Sequence, residues 1–270
     1  MKYSLGLLPP RPESVEHKLA DFYDHHAALP NIPADYGHQS LISRWEMLGN
    51  GPDGVSADVP VGDCAICGPE HLIMGWSAAA GKIVPPFTYL STIGMYTKFT
   101  GFDPSQYDPA TGQNPTDQGS DMTVIAQRWQ SDGFTDSAGD VHKIAAFLAL
   151  KSNPVDLKQI AAAAYLFEGV GFGFDLPESA EEQFDTGQPW SVTDAPIVGG
   201  HYVPVIGRQG GNYLGVSWGG VVTITPEFLQ RYGRLAMVYL GRDMFNLQGK
   251  SAEGLDIAAL TAAFPALEAI

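Results

Sequence analysis

The residues best equipped for chemistry are two thiols and one imidazole. Cys64 and Cys67 stand three apart in Gly62-Asp63-Cys64-Ala65-Ile66-Cys67-Gly68-Pro69, and Gly199-Gly200-His201 opens an apolar run far downstream. Ser217-Trp218-Gly219-Gly220 closes the next apolar run. Pro69 and Glu70 suit the first turn of a helix over 68–81, where a missing N–H costs nothing and the dipole favours an acid. A thiol at such a helix start is biased toward the thiolate, its nucleophilic form. Cysteine at a helix start, histidine on a distant strand and an orienting residue on the neighbouring strand make the arrangement of thiol nucleophilic catalysis. The imidazole takes the thiol proton, the sulfur attacks a carbonyl, and helix amides hold the oxyanion.

Each of these residues also has a plainer reading. Free cysteines are among the most buried residue types, so Cys64 and Cys67 also read as small core residues. A redox Cys-x-x-Cys would follow a thioredoxin-like strand, which the pattern lacks. Zinc held by Cys64, Cys67, His71 and His201 would need a spacing that fits no common finger. No Walker loop, dinucleotide-binding glycine motif or HExxH is present, so neither metal nor cofactor is expected. His71 reads as a satisfied core histidine on a buried helix, and His201 alone would be a structural strand histidine. Trp76 and Ala78 to Ala80 read as core, Trp218 as a packed strand end, and Glu181, Glu182 and Asp185 as a solvated loop.

The elements that must position these groups divide the chain in two. Residues 1–40 form an arm in which prolines bracket a helix over 13–28, followed by an amphipathic piece at 40–48. A glycine- and proline-punctuated loop covers 49–62, and the helix after it is apolar almost all round, which marks it as buried. Residues 101–120 read as a polar loop, with helices at 121–132 and 155–167. From 169 onward glycine-rich strands take over (GVGFGFDL, HYVPVIG, NYLGVSW, VVTIT), with a short helix opening at Pro226. The pattern predicts an α+β fold: a single domain over 41–270 with a helical lobe at 41–168 and a sheet lobe at 169–245.

Composition narrows the partners. The chain has 270 residues, 44% hydrophobic and 17% charged, with a formal net charge of −15. A surface that acidic repels nucleic acid and anionic membranes but not peptides or proteins. No apolar run approaches the ~20 residues of a membrane span. Pro9 and Pro10 cut the N-terminal apolar stretch too short for a signal-peptide core, so an interior location is expected. Two cysteines three apart are no disulfide framework, and a reducing interior would leave the thiols free.

The order of Cys, Gly-Gly-His with an apolar strand, and Ser-Trp-Gly is similar to the papain-like cysteine peptidases. The chain resembles more closely a phage- and prophage-encoded branch of that superfamily. Trp45 to Asn50, Gly62 to Cys64 with His71 seven residues on, residues 166–184, Gly199 to His201, Val216 to Gly219 and 226–232 carry the likeness, which spans nearly the whole chain. The resemblance implies a papain-like fold, with a buried cysteine-bearing helix packed on an antiparallel or barrel-like sheet. It makes Cys64 the nucleophile and His201 the base, with oxyanion and supporting groups among Asn50, Asp63 and Trp218. Cys67 is the rival nucleophile: in papain the second cysteine of a Cys-x-x-Cys acts, and Cys67 lies nearest the helix start implied by Pro69. One position departs from the pattern, because Val216 stands where the family has the asparagine that orients the imidazole. Ser217 is the available substitute. A hairpin turn at Arg208–Gly211 would leave it on the wrong face of the strand, and a one-residue bulge would reverse that. Two readings follow. One is a cysteine-dependent hydrolase of phage or prophage origin acting on peptide or amide bonds. The other is a virion or tail structural protein on the same fold, with other virion proteins as partners. Host cytoplasm or virion is the expected setting.

Overall fold

The computed structural model describes residues 2–9, 32–46, 48–49, 61–152 and 154–258. The 13–28 helix, Asn50 and most of the 49–62 loop lie outside the described residues. The cysteine-bearing helix, α1, runs Cys64–Ala79 and begins well before the predicted 68–81. Pro69 therefore sits inside it rather than in its first turn. The Asp63 carbonyl accepts from the Ile66 and Cys67 amides and starts the helix ahead of the proline. Thirteen of its sixteen residues are buried, as an apolar surface all round requires.

Two helices follow, α2 (Tyr89–Thr100) and α3 (Met122–Ser131). Helix α2 is absent from the sequence expectation, although its ends are signposted. Thr88 and Ser91 form a reciprocal capping box, and Gly101 closes it at φ 81°. Where the amphipathic 40–48 piece begins, a 3₁₀ turn covers Gln39–Leu41, and 42–46 are irregular. Helix α4 (Leu157–Leu166) starts at the Asp156 cap.

Strands β1 (Tyr36–Gly37), β4 (Ile144–Ala149), β5 (Val170–Pro177), β6 (Ile197–Gln209), β7 (Asn212–Ser217), β8 (Gly220–Ile224) and β9 (Gly233–Gly241) form one antiparallel sheet in the order β4-β9-β5-β6-β7-β8, with β1 on β6. A separate two-stranded ladder joins β2 (Phe134–Thr135) and β3 (Val141–His142). The sheet is open rather than a barrel, and its edge strand β4 comes from the mainly helical first half. Short helices α5 (Ser179–Asp185) and α6 (Pro226–Tyr232) interrupt the strands. No helix among the described residues is long and apolar enough to cross a membrane.

Helix α1 lies directly on β6. Gly68 permits the close approach, since a Cβ there would overlap the Tyr202 ring. Trp76 on the same helix stacks on Trp129 of α3, which packs in turn on Tyr239 of β9. Trp76 is fully buried, whereas Ala78 to Ala80 are half-buried at the helix end rather than core.

Candidate active site

The α1 N-terminus meets the middle of β6, and this brings a thiol to the histidine strand. Cys64 is the first residue of α1, and its sulfur accepts the Tyr202 amide N–H at 3.4 Å. Cys67, one turn on, donates instead to the Asp63 carboxyl oxygen at 3.2 Å. Of the two thiols, Cys64 takes the hydrogen bond from the backbone beside His201, and the Pro69 argument for Cys67 falls with the earlier helix start.

His201 and Ser217 meet because β6 is bulged. Gln209 pairs with Asn212 across a two-residue turn, and Gly207 pairs with Leu214 in the same register. The register then shifts, and Val205 pairs with Gly215. Without that extra residue, Val216 and Trp218 would share the His201 face, because side chains alternate along a strand. With it, Ser217 does, and its Oγ lies 2.8 Å from His201 Nε2. Val216 is buried on the opposite face. Trp218 turns the chain at φ 49°, a left-handed conformation rare for a bulky side chain, and Gly219 completes the turn at φ 77°. The Trp218 ring stacks on His201 with centroids 5.1 Å apart and planes 26° apart. His201 Nδ1 is buried and has no hydrogen-bond partner among the described residues.

Burial sets the electrostatics. Cys64 is 1% exposed, Cys67 3% and His201 0%. Loss of water pushes the Cys64 thiol up to about 12, although the Tyr202 and Gly6 amides pull the other way. The same desolvation pushes His201 down to about 3, so thiol and imidazole are both neutral. Asp63 is likewise buried, its carboxyl held well above the usual range, and one of its oxygens is unpartnered. Its Oδ1 accepts the Cys67 thiol. His71, pushed down to about 4 by burial, bonds the Glu46 carbonyl at 2.9 Å as a core histidine. No group of three potential metal ligands occurs among the described residues.

Residues 2–9 thread between the helices and the sheet: the Leu7 amide donates to Gly200, the Leu8 amide donates to Ser120, and the Ser120 amide donates to Gly6. The fit is backbone against backbone, since a Cβ on Gly6 would overlap the Gly62 carbonyl and one on Gly200 would overlap that of Leu7. Leu7 fills space left by Gly173. Tyr3 stacks on Trp218 at 4.3 Å with planes 8° apart. Past Leu8 lies a depression of about 760 Å³ whose walls include Val155, Phe174, Asp175, Ile197 and Arg234.

Two solved structures share this architecture. Xylellain, a cysteine protease from Xylella fastidiosa, matches with a TM-score of 0.57 at 13% identity, over 88% of this chain and 96% of its own. Procathepsin B S9 from Trypanosoma congolense gives 0.57 at 9% identity, over 88% and 86%. The fold is papain-like. No protein-family model matches the sequence, and no curated protein does. Within the papain-like frame, the sequence reading missed residues 2–9 as part of the site and Glu181 and Asp185 as their anchors. These acids lie on α5 rather than in a loop, and they hold Lys2. Alternation of apolar and small residues in Tyr3-Ser4-Leu5-Gly6-Leu7 was the available signal.

Proposed function

We propose that the protein is a cysteine-dependent hydrolase of peptide or amide bonds, held latent by residues 2–9. The observation that carries this reading is His201, fixed on Nε2 by Ser217, roofed by Trp218, and one residue from the amide that touches Cys64. In the open form the Cys64 proton passes to His201 Nδ1 and the sulfur bonds to the substrate carbonyl carbon. First-turn amides of α1 receive the negative charge on the carbonyl oxygen. Collapse breaks the C–N bond as the imidazolium returns its proton to the leaving amine. Water, deprotonated by His201, then releases the acid from the thioester. The substrate is a peptide or protein, in keeping with the papain-like neighbours.

A second reading is a virion or tail structural protein of phage or prophage origin, resident in host cytoplasm or virion. It draws on the burial of Cys64, Cys67 and His201 and on the absence of a sulfur in hydrogen-bond reach of His201 among the described residues. One variant separates the two. Gly6→Ala in the full chain drives the arm from the cleft by overlap with Gly62. Iodoacetamide labelling should then mark Cys64 rapidly well below pH 8, and the further change His201→Ala should abolish that reactivity. Thiols that stay inert in the folded Gly6→Ala protein would leave the structural reading.

A further inference from the structure

The Trp218 end of the cleft is built around an aromatic and a cationic residue, and the chain's own Lys2-Tyr3 occupies it. Tyr3 is nearly fully buried, stacked on Trp218 and edge-on to Phe184 at 5.9 Å. Its hydroxyl donates to Asp185 Oδ1 at 3.0 Å. The Lys2 ammonium donates to the same carboxylate at 3.1 Å, and the Lys2 amide donates to Glu181 Oε1 at 2.7 Å. Aromatic walls, a carboxylate shared by the hydroxyl and the ammonium, and a second acid on the Lys2 amide recognise one kind of peptide: an aromatic residue preceded by a cationic one. Phe184 and Trp218 also meet edge to face at 5.1 Å, so the walls brace one another.

We propose that Phe184, Trp218, Asp185 and Glu181 form a specificity subsite for polypeptides carrying a basic residue next to an aromatic one. The proposal rests on the hydrolase reading for its purpose but not for its test. Lys2-Tyr3 is the cleft's intramolecular occupant, and an external peptide of like chemistry takes its place when the arm leaves. The aromatic supplies most of the affinity, because stacking in a desolvated slot outweighs a part-exposed ion pair. The acids supply the discrimination, since a glutamate in place of Lys2 would bring a third carboxylate against Glu181 and Asp185.

Calorimetric titration of the full chain carrying Cys64→Ala, Lys2→Ala and Tyr3→Ala tests this with the slot vacated and no thiol chemistry. The probes are three blocked tetrapeptides, Met-Lys-Tyr-Ser, Met-Lys-Ala-Ser and Met-Glu-Tyr-Ser. The first should bind about tenfold or more tighter than the second and about fivefold tighter than the third. Glu181→Gln with Asp185→Asn should erase the preference for lysine over glutamate, and Phe184→Ala should weaken the preference for tyrosine, leaving the Trp218 stack, while keeping the charge effect. Equal binding of all three peptides, or none of any, overturns the subsite. A reactive Cys64 in the Gly6→Ala protein alongside such equal binding would leave the hydrolase standing without it. Selective binding beside an inert thiol would keep the subsite and remove the hydrolase.

Discussion

At the scale of single residues, the site turns on which atom meets His201. Ser217 Oγ takes Nε2, and Val216 beside it is buried on the other face. Ser217→Ala would strand a buried ring nitrogen, which costs about 1–3 kcal/mol. The urea midpoint should fall accordingly, while Cys64 labelling in the Gly6→Ala background should slow by about tenfold or more without vanishing. Retention of the full labelling rate would show that Ser217 does not orient the imidazole. The candidates Cys64, Cys67, His201 and Ser217 are readable from residue type and order alone. That Cys64 faces β6 while Cys67 bonds Asp63 is not readable, because it depends on where the helix starts.

At the scale of elements, two close approaches hold the site together. Helix α1 sits on β6 only because Gly68 has no side chain against Tyr202. Gly68→Ala should cost about 1–3 kcal/mol by overpacking, a drop in thermal midpoint measurable by calorimetry. It should also raise Cys64 labelling, since a helix lifted from β6 uncovers its first residue; an unchanged midpoint would mean that β6 yields. The β6 bulge is the second device. One extra residue near Ile206 sets the parity of everything after it, and hence which of Val216 and Ser217 sees His201. Helix and strand positions are written in capping residues and alternation, whereas a bulge leaves no such periodic mark.

At the scale of the whole molecule, buried ionisable groups shape the pH response. His201 at about 3 and His71 at about 4 lie below the free imidazole value through desolvation. Their contribution is present above pH 6.5 and is lost as acid protonates the unfolded chain preferentially. Glu168 has the opposite sign. It sits at φ 53° between α4 and β5, accepts the Ala252 amide, and is pushed up to about 7 by burial. The folded state then holds a proton that the unfolded state releases near 4.5, so stability falls as pH rises through 7. Glu168→Gln, which keeps the acceptor and mimics the protonated form, should match the parent at pH 4, below the unfolded value of 4.5. At pH 8 it should exceed the parent by up to about 3 kcal/mol in urea unfolding. Equal midpoints at both values would mean that Glu168 reaches water.

The sequence by itself determined the chemical inventory, the α+β class and the order in which thiol, imidazole and hydroxyl come along the chain. Those properties are local, carried by residue type, alternation and caps over a few residues at a time. Tertiary structure decided that Ser217 rather than Val216 meets His201, because strand parity is inherited from a bulge ten residues away. It also decided that residues 2–9 fill the cleft, since their backbone partners, Ser120 and Gly200, lie far along the chain and meet them only in the folded molecule. The protonation states followed from that burial, which no neighbouring residue in the sequence encodes.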